Sequence, residues 1–380
     1  MLYIVMIAWM GIASSLAIKF VPLIRRLNSD QSSRYKSLDA LRGFLAAGVF
    51  ISHAFVAKNF YKTGEWAPPE SNMYRFAGTG SVALFFMITG LLFWGKVIDR
   101  KIEPLTLLRS RLMRIMPLHI FSCIIIFFIC FYESNFTAAV QLNELIFNML
   151  RWLGGGGALG APSINGVPTL TVNAGVTWTL QYEWVFYALL PLIGIFVAPL
   201  RFALFVTLYL SVFVVLKSIG LSGEATYLLV ASPFLGGMFA AYIAKYYVDS
   251  LNSNGFFQSL FVIASLVAGA YFYTKGVSTV IAVLLVPAFV LIATGNNIFG
   301  LLETGWARWL GQISFSIYIL HGIVLLLCLR VVNGYLPITQ MGPTVYTATC
   351  AIIAIFLVAI CSVTYLAIER RFMGMPGRQK

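Results

Sequence analysis

Three ionisable residues lie within one apolar stretch near the start of the chain, Ser37 to Phe55. Asp39, Arg42 and His53 stand among residues that would otherwise form an ordinary membrane helix. Eleven positions separate Arg42 from His53. That spacing is about three helical turns, or roughly 16 Å, so both side chains fall on one stripe of a helix. Because ionisable groups inside a bilayer are costly, they usually face a cavity or a partner and are candidates for function.

A purely structural explanation of this stretch is also open. Arg42 would then anchor the helix at the cytoplasmic surface, Asp39 would interact with the helix dipole, and His53 would form a polar contact between helices. Other ionisable groups within apolar spans weigh against that explanation and favour a functional one.

A second candidate group lies in the segment TWTLQYEWVFYALLP, residues 177–191. Thr179, Glu183 and Tyr187 follow at i, i+4 and i+8, so they share one face of a helix. A lone carboxylate in an apolar span is expensive unless it is paired. The sequence leaves three roles open for Glu183: it could orient a histidine, hold an acceptor hydroxyl, or form a structural salt bridge with Arg42.

Three arginines, Arg109, Arg111 and Arg114, lie just before another predicted membrane span. Guanidinium groups form bidentate, charge-assisted hydrogen bonds with phosphate oxygens, so the cluster suits a phosphate-rich ligand. An equally simple alternative is a basic cluster that binds lipid headgroups.

Three polar residues on one face of a helix also occur in LGQISFSIYILH, residues 310–321. Ser314, Tyr318 and His321 follow at i, i+4 and i+7 on an otherwise apolar helix. This pattern is typical both of hydrogen bonds between membrane helices and of contacts with a substrate.

Composition places all of these groups in a membrane protein. Of the 380 residues, 60% are hydrophobic and only 10% are charged, whereas a soluble domain carries about a quarter charged residues. The net charge of +13 indicates a bilayer rather than a nucleic acid, since Lys and Arg collect on the cytoplasmic side of membrane proteins. All five cysteines lie in apolar runs, so neither a disulfide framework nor a metal site is indicated.

The apolar windows predict an all-α fold, a polytopic membrane helical bundle of about eleven transmembrane helices. The predicted spans lie near 2–20, 37–55, 78–95, 116–132, 177–198, 202–217, 226–245, 257–274, 277–295, 309–331 and 344–367. If these spans alternate, the basic connections share one side, which puts the N-terminus outside and the C-terminus in the cytoplasm. The long outer connection, 133–176, ends in a glycine-rich run that predicts a flexible linker or a mobile loop over a site.

Five segments, in order along the chain, resemble the motifs of the acyltransferase-3 family. LDALRG followed by His53 resembles LDGLRG…H, SVALFFMITGLLFW resembles FFxxSGFL, and RSRLMRIMPLH resembles RRxxRIxPxY. TWTLQYEWVFYALLP resembles WSLxxExxFYxxxP, and LGQISFSIYILH resembles LGxxSYSxYLxH. Three positions depart from the family pattern: Ala40 replaces glycine, Thr89 replaces serine, and His119 replaces an aromatic residue.

The family consists of integral-membrane acyltransferases that mostly O-acetylate bacterial surface polysaccharides, peptidoglycan or small glycosides. The resemblance implies a ten-helix acyltransferase membrane domain at 37–368. Residues 1–36 would then form an extra N-terminal helix with a basic cytoplasmic linker, and 369–380 a basic cytoplasmic tail.

The resemblance also implies the reaction. An acyl-CoA, usually acetyl-CoA, would donate its acyl group from the cytoplasm to a hydroxyl of a carbohydrate acceptor, such as lipopolysaccharide O-antigen, at the outer side of a bacterial inner membrane. No bound cofactor, metal or nucleic-acid partner is expected. The implied catalytic residues are His53, Arg42 and Glu183, and the implied substrate-binding residues are Asp39, Arg109, Arg111, Arg114, Trp178, Tyr187, Ser314, Tyr318 and His321.

In this scheme His53 is the general base on the acceptor hydroxyl, or it carries the acyl group covalently, and the sequence does not separate the two. Arg42 would stabilise charge on the thioester oxygen or the CoA phosphates. We expect Arg42 and His53 to face one passage. Two rivals remain: a transporter or flippase in which Arg42, His53 and Glu183 form a proton or anion pathway, and a structural component of a polysaccharide assembly complex.

Overall fold

The computed structural model describes residues 2–29, 36–101, 103–155, 161–248, 253–273 and 279–373. Three of the charges predicted for the cytoplasmic side, Arg34, Arg378 and Lys380, lie outside these ranges. Within them the secondary structure is helical, with no β-strand. The all-α fold class is confirmed.

Sixteen α-helices follow one another along the described chain. The first eight are α1 (Leu2–Phe20), α2 (Pro22–Ser29), α3 (Lys36–Thr63), α4 (Asn72–Ile98), α5 (Pro104–Glu133), α6 (Leu142–Leu153), α7 (Leu170–Asn173) and α8 (Trp178–Ile193). The others are α9 (Pro199–Ser218), α10 (Ser222–Tyr246), α11 (Phe256–Tyr271), α12 (Thr279–Ala293), α13 (Gly305–Gln312), α14 (Ser314–Tyr335), α15 (Pro343–Thr364) and α16 (Arg370–Met373). A π-helical turn, Tyr365–Glu369, joins the last two.

Among the described residues, nine helices are long and apolar enough to cross a membrane, and two shorter apolar segments lie at Phe256–Tyr271 and Leu284–Ala293. Together they account for the eleven predicted spans. The protein is a multi-pass membrane protein. The two short segments coincide with the predicted spans 257–274 and 277–295, which are separated by only a few residues.

Helix α3 lies at the centre of the bundle. Its apolar window is 78% buried, against 6% for α9 at the periphery. The first turns of α3 pack directly on α13, because glycines on both helices allow the backbones to approach. A Cβ atom at Gly43 would lie 2.7 Å from the Gly311 nitrogen, and one at Gly311 would lie 1.8 Å from the Asp39 carbonyl oxygen. This close contact fixes the part of α3 that carries Arg42.

Charged pairs at the two ends of the bundle agree with alternating spans. At one end, the Arg330 guanidinium of α14 bonds the Glu133 carboxylate at the end of α5, with 2.5 Å between Nη2 and Oε1. At the other end, the Lys245 ammonium of α10 bonds Asp99, which follows α4. The ends of α5 and α14 therefore meet at one end of the bundle, and those of α4 and α10 at the other.

Residues 161–168 of the glycine-rich run are packed within the connection between α5 and α8, so the predicted flexible linker is wrong for these residues. Trp152 of α6 is fully buried and donates its indole N–H to the Pro162 carbonyl at 2.9 Å. Asn165, 2% exposed, accepts a bond from the Ala139 amide at 2.9 Å and donates to the Thr137 carbonyl at 2.7 Å. The segment 156–160, which contains three of the six glycines of this run, lies outside the described residues.

Candidate functional site

A cavity of about 100 Å³ lies between the start of α3, the end of α4, the start of α5, and helices α8 and α14. Its charged wall contains four of the residues that the sequence singled out, Arg42, Arg111, Arg114 and Glu183. Thr179 and Tyr187 line it together with Glu183, as their helical spacing predicted. We call this space the arginine cavity.

Short polar contacts hold the ionisable groups of the arginine cavity. Arg42 donates from Nη1 to the Asp39 carboxylate one turn earlier, at 2.9 Å. Tyr187 donates its hydroxyl hydrogen to Glu183 Oε2, one turn away on α8, at 2.8 Å. The Arg111 guanidinium lies 5.0 Å from the centre of the Phe93 ring, a cation–π distance. Three guanidinium groups thus share one cavity wall with a single carboxylate, which leaves the wall with an excess of positive charge.

A second cavity, of about 300 Å³, lies at the other half of α3, and we call it the histidine cavity. His53 lines it, together with side chains from the α3–α4 connection, α4, α8 and the residues after α11. Trp66, Trp178 and Tyr273 contribute aromatic rings to this wall, and Arg75 contributes a guanidinium. The Trp66 ring lies nearly parallel to the His53 imidazole, with 6.4 Å between the ring centres.

The two cavities share three lining residues, Val82, Phe86 and Tyr318. Tyr318 is fixed at this junction, because its hydroxyl lies 3.0 Å from the Val176 carbonyl and 2.8 Å from the Thr179 hydroxyl. A carbonyl only accepts, so Tyr318 donates to Val176 and accepts from Thr179. Arg42 therefore lines one cavity and His53 the other, and the two cavities meet at these three shared residues.

His53 is hydrogen-bonded to a second histidine behind it. Its Nδ1 lies 2.9 Å from Nε2 of His321 on α14, and the two rings are within 21° of parallel. His321 is fully buried, and its Nδ1 lies 3.0 Å from the Ile317 carbonyl oxygen one turn earlier. His53 is only partly buried, and it is the member of the pair that lines the histidine cavity.

The structure separates the other predicted site residues into three groups. Ser314 and Tyr318 line the arginine cavity, and Trp178 lines the histidine cavity. Asp39 and His321 line neither cavity but bond the residues that do, Arg42 and His53. Arg109 is exposed and lies outside both linings, although it is only two positions from Arg111.

Several residues that line the cavities could not be recognised as site residues from the sequence. Trp66 lies in a proline-containing connection, and Arg75 and Tyr273 lie near helix ends where charged and aromatic residues are common. Glu369, predicted to begin a cytoplasmic tail, is instead 2% exposed and accepts a hydrogen bond from the Ser316 hydroxyl. The π-helical turn that ends at Glu369 could not be inferred from the apolar pattern of the last span.

Comparison with protein families adds a decisive observation. The family model described as "Acyltransferase domain" matches residues 35–366, nearly the whole chain. The chain belongs to the acyltransferase-3 family. Comparison with curated proteins and with solved structures gave no match. In this membrane acyltransferase, all the residues that line the two cavities lie within the matched range. Both members of the histidine pair lie there too.

Proposed function

We propose that this acyltransferase moves an acyl group, most simply acetyl, from acyl-CoA to a hydroxyl of a carbohydrate at the cell surface. One observation supports the proposal above all: a cavity rich in arginine and a cavity that contains a histidine meet at a shared wall. The first suits an anionic donor and the second suits proton transfer from an alcohol.

The arginine cavity would bind the donor. Arg111 and Arg114 lie in its wall, near the start of α5, where they would contact the phosphates of coenzyme A. Arg42, one of whose nitrogens is held by Asp39, would stabilise the negative charge that develops on the thioester oxygen. Glu183 would hold its arginine neighbours in place rather than orient His53, since its hydrogen bond comes from Tyr187 on the donor side.

The histidine cavity would bind the acceptor. Its larger volume and its indole rings suit a sugar, because an aromatic ring offers a flat apolar face and its N–H offers a donor. In this arrangement Trp66 and Trp178 pack against the acceptor while its hydroxyl approaches His53. Surface polysaccharide, with lipopolysaccharide O-antigen as one case, is the acceptor class that the family resemblance suggests.

The reaction would take place at the junction. His53 takes the proton from the acceptor hydroxyl as its oxygen bonds the thioester carbon, and the carbon–sulfur bond then breaks. The proton passes to the leaving thiolate, so the products are an ester and free coenzyme A. Val82, Phe86 and Tyr318 line both cavities, so the thioester end of the donor would reach the acceptor past these side chains.

We place the arginine cavity toward the cytoplasm of a bacterial inner membrane, with the N-terminus outside and the C-terminus inside. The support is the distribution of Lys and Arg, which gather at connections that share one side if the spans alternate. In this orientation cytoplasmic acyl-CoA enters from the arginine side, and a surface glycan enters from the histidine side.

A deletion strain tests the function directly. We expect its surface glycans to lose one class of alkali-labile ester, seen by NMR and mass spectrometry, and a plasmid copy of the wild-type gene to restore it. The purified protein in liposomes should then release coenzyme A from acetyl-CoA when it is given the de-esterified glycan. Movement of a glycan or anion across the liposome without any new ester would instead identify a transporter and overturn the proposal.

A further inference from the structure

The histidine pair fixes where the protons of both rings must be. His321 Nδ1 faces the Ile317 carbonyl oxygen at 3.0 Å, and a carbonyl oxygen only accepts hydrogen bonds. His321 Nδ1 therefore carries a hydrogen. A neutral imidazole has one N–H, so Nε2 of His321 is left as an acceptor.

The same argument applies to His53, because its Nδ1 lies 2.9 Å from His321 Nε2. Since His321 Nε2 accepts, His53 Nδ1 must donate, and the hydrogen of a neutral His53 lies on Nδ1. The other ring nitrogen, Nε2, then carries a free lone pair. His53 is the partly exposed ring that lines the histidine cavity, so this lone pair is the basic site available to a ligand there.

We propose that His321 is a positioning residue: it holds His53 in the tautomer that presents Nε2 as the proton acceptor to the histidine cavity. The catalytic consequence rests on the proposed function, whereas the tautomer itself does not. When Nε2 takes the proton of the acceptor hydroxyl, His53 becomes an imidazolium that still donates Nδ1–H to neutral His321. Returning the proton to the leaving thiolate restores the starting pair.

The burial of His321 explains why a second histidine suits this position. The ring is fully buried where α14 packs against α3, and a carboxylate at this position would leave an uncompensated charge. A neutral imidazole supplies an acceptor without that charge, and the Ile317 carbonyl on its own helix holds the ring by Nδ1. His321 therefore orients His53 much as the acidic member of a catalytic triad orients its histidine, but without a negative charge.

The tautomers can be measured without any substrate. The chain contains only three histidines, His53, His119 and His321. We would label them with ¹⁵N in the full protein in nanodiscs and record long-range proton–nitrogen correlations, which identify the protonated ring nitrogen. His119 is an internal control of the opposite tautomer, because its Nε2 donates to the Trp152 carbonyl at 2.8 Å. We expect His53 and His321 to be protonated on Nδ1 and His119 on Nε2, and a His53 protonated on Nε2 would overturn the proposal.

Two substitutions of His321 separate positioning from packing. His321→Gln places an amide oxygen near the position of Nε2, so it should keep both the Nδ1–H tautomer of His53 and most of the turnover. His321→Leu keeps a buried side chain of moderate size but removes the acceptor. It should release His53 into a mixture of tautomers and lower kcat about a hundredfold, the low end of what a general base contributes, with KM little changed.

The matched control is His119→Gln, which keeps an N–H donor for the Trp152 carbonyl and lies outside both cavities. It should leave kcat unchanged. If His321→Leu inserts normally and keeps wild-type kcat, or if it shifts no His53 signal, the positioning role is refuted. If the wild-type protein transfers no acyl group, the proposed function fails, and the NMR assignment still decides the tautomer.

Discussion

The two cavities of this acyltransferase contain opposite kinds of polar chemistry. The arginine cavity has three guanidinium groups and one carboxylate around about 100 Å³, whereas the histidine cavity, of about 300 Å³, has one guanidinium, that of Arg75, in a wall that is otherwise mostly aromatic and apolar. A fixed positive charge can bind phosphates, but it cannot accept a proton. A neutral imidazole can accept a proton, but it offers little attraction for a polyanion. Under the proposed function, the donor is bound in one cavity and the acceptor is activated in the other.

Helix α3 carries one member of each cavity, Arg42 near its start and His53 about three turns later. Because α3 is the most central helix, the distance between the two groups is set by its rigid backbone rather than by loops. The two cavities can therefore be tested separately, since a substitution in one of them should leave the structure of the other unchanged. The predictions below change one cavity, or the wall that the two share, at a time.

The largest effect is expected from His53→Ala. Loss of the proton acceptor should lower acyl transfer by about 10²- to 10⁴-fold, the usual contribution of a general base. Binding of coenzyme A, measured with the purified protein by calorimetry, should be unchanged because the arginine cavity is intact. Membrane yield compared with wild type controls for insertion. Normal turnover in this variant would remove His53 from the mechanism.

Arg42→Gln should produce the next largest loss, about a hundredfold in kcat/KM, because a positioned donor to a developing negative charge contributes about that much. Steady-state coenzyme A release in liposomes measures the change. The matched control is Asp39→Asn, which keeps an oxygen as acceptor for Arg42 Nη1 and should cost far less. Equal losses in the two variants would indicate that the Asp39–Arg42 pair as a whole, rather than the Arg42 charge, carries the effect.

Helical spacing was sufficient to predict which residues share a face. Thr179, Glu183 and Tyr187 do line one cavity, and Arg42 and His53 line two cavities that share three residues, in agreement with the fixed rotation per residue. What spacing could not supply is the partner that each face meets. His321 lies 268 positions from His53, and only the packing of α14 on α3 brings the rings together.

Because spacing does not predict the partner of each face, two other expectations from the sequence differ from the structure. Arg109 and Arg111 look alike in the sequence, but the rotation of α5 against its neighbours exposes one and places the other in the arginine cavity. The glycine-rich run before α8 looked like a linker by composition, yet hydrogen bonds of the Trp152 indole and the Asn165 amide hold its described part in place. Both outcomes depend on tertiary contacts that no local pattern encodes.

Arg111→Gln and Arg114→Gln sharpen the donor side of the comparison. Each removes one guanidinium from the cavity wall and should raise the KM for acetyl-CoA about tenfold, since a charge-assisted hydrogen bond contributes about that much, while kcat changes little. Arg109→Gln is the control from the same basic cluster. Because Arg109 is exposed and outside the cavity lining, its KM should stay near wild type. Similar shifts in all three variants would indicate general attraction by a basic surface instead of a site.

Tyr318→Phe affects the wall between the cavities and should have the smallest effect. The ring that divides the two spaces stays, but the Val176 carbonyl and the Thr179 hydroxyl lose their shared partner. The two lost hydrogen bonds cost about 1 kcal/mol each, so thermal unfolding in detergent should occur at a lower temperature, while kcat should fall only a few-fold. Tyr318→Leu is the informative companion, because it removes the aromatic ring and merges the cavities. If the wall positions the thioester against the acceptor, coenzyme A release without ester formation should rise in the leucine variant alone, since water can then reach the donor.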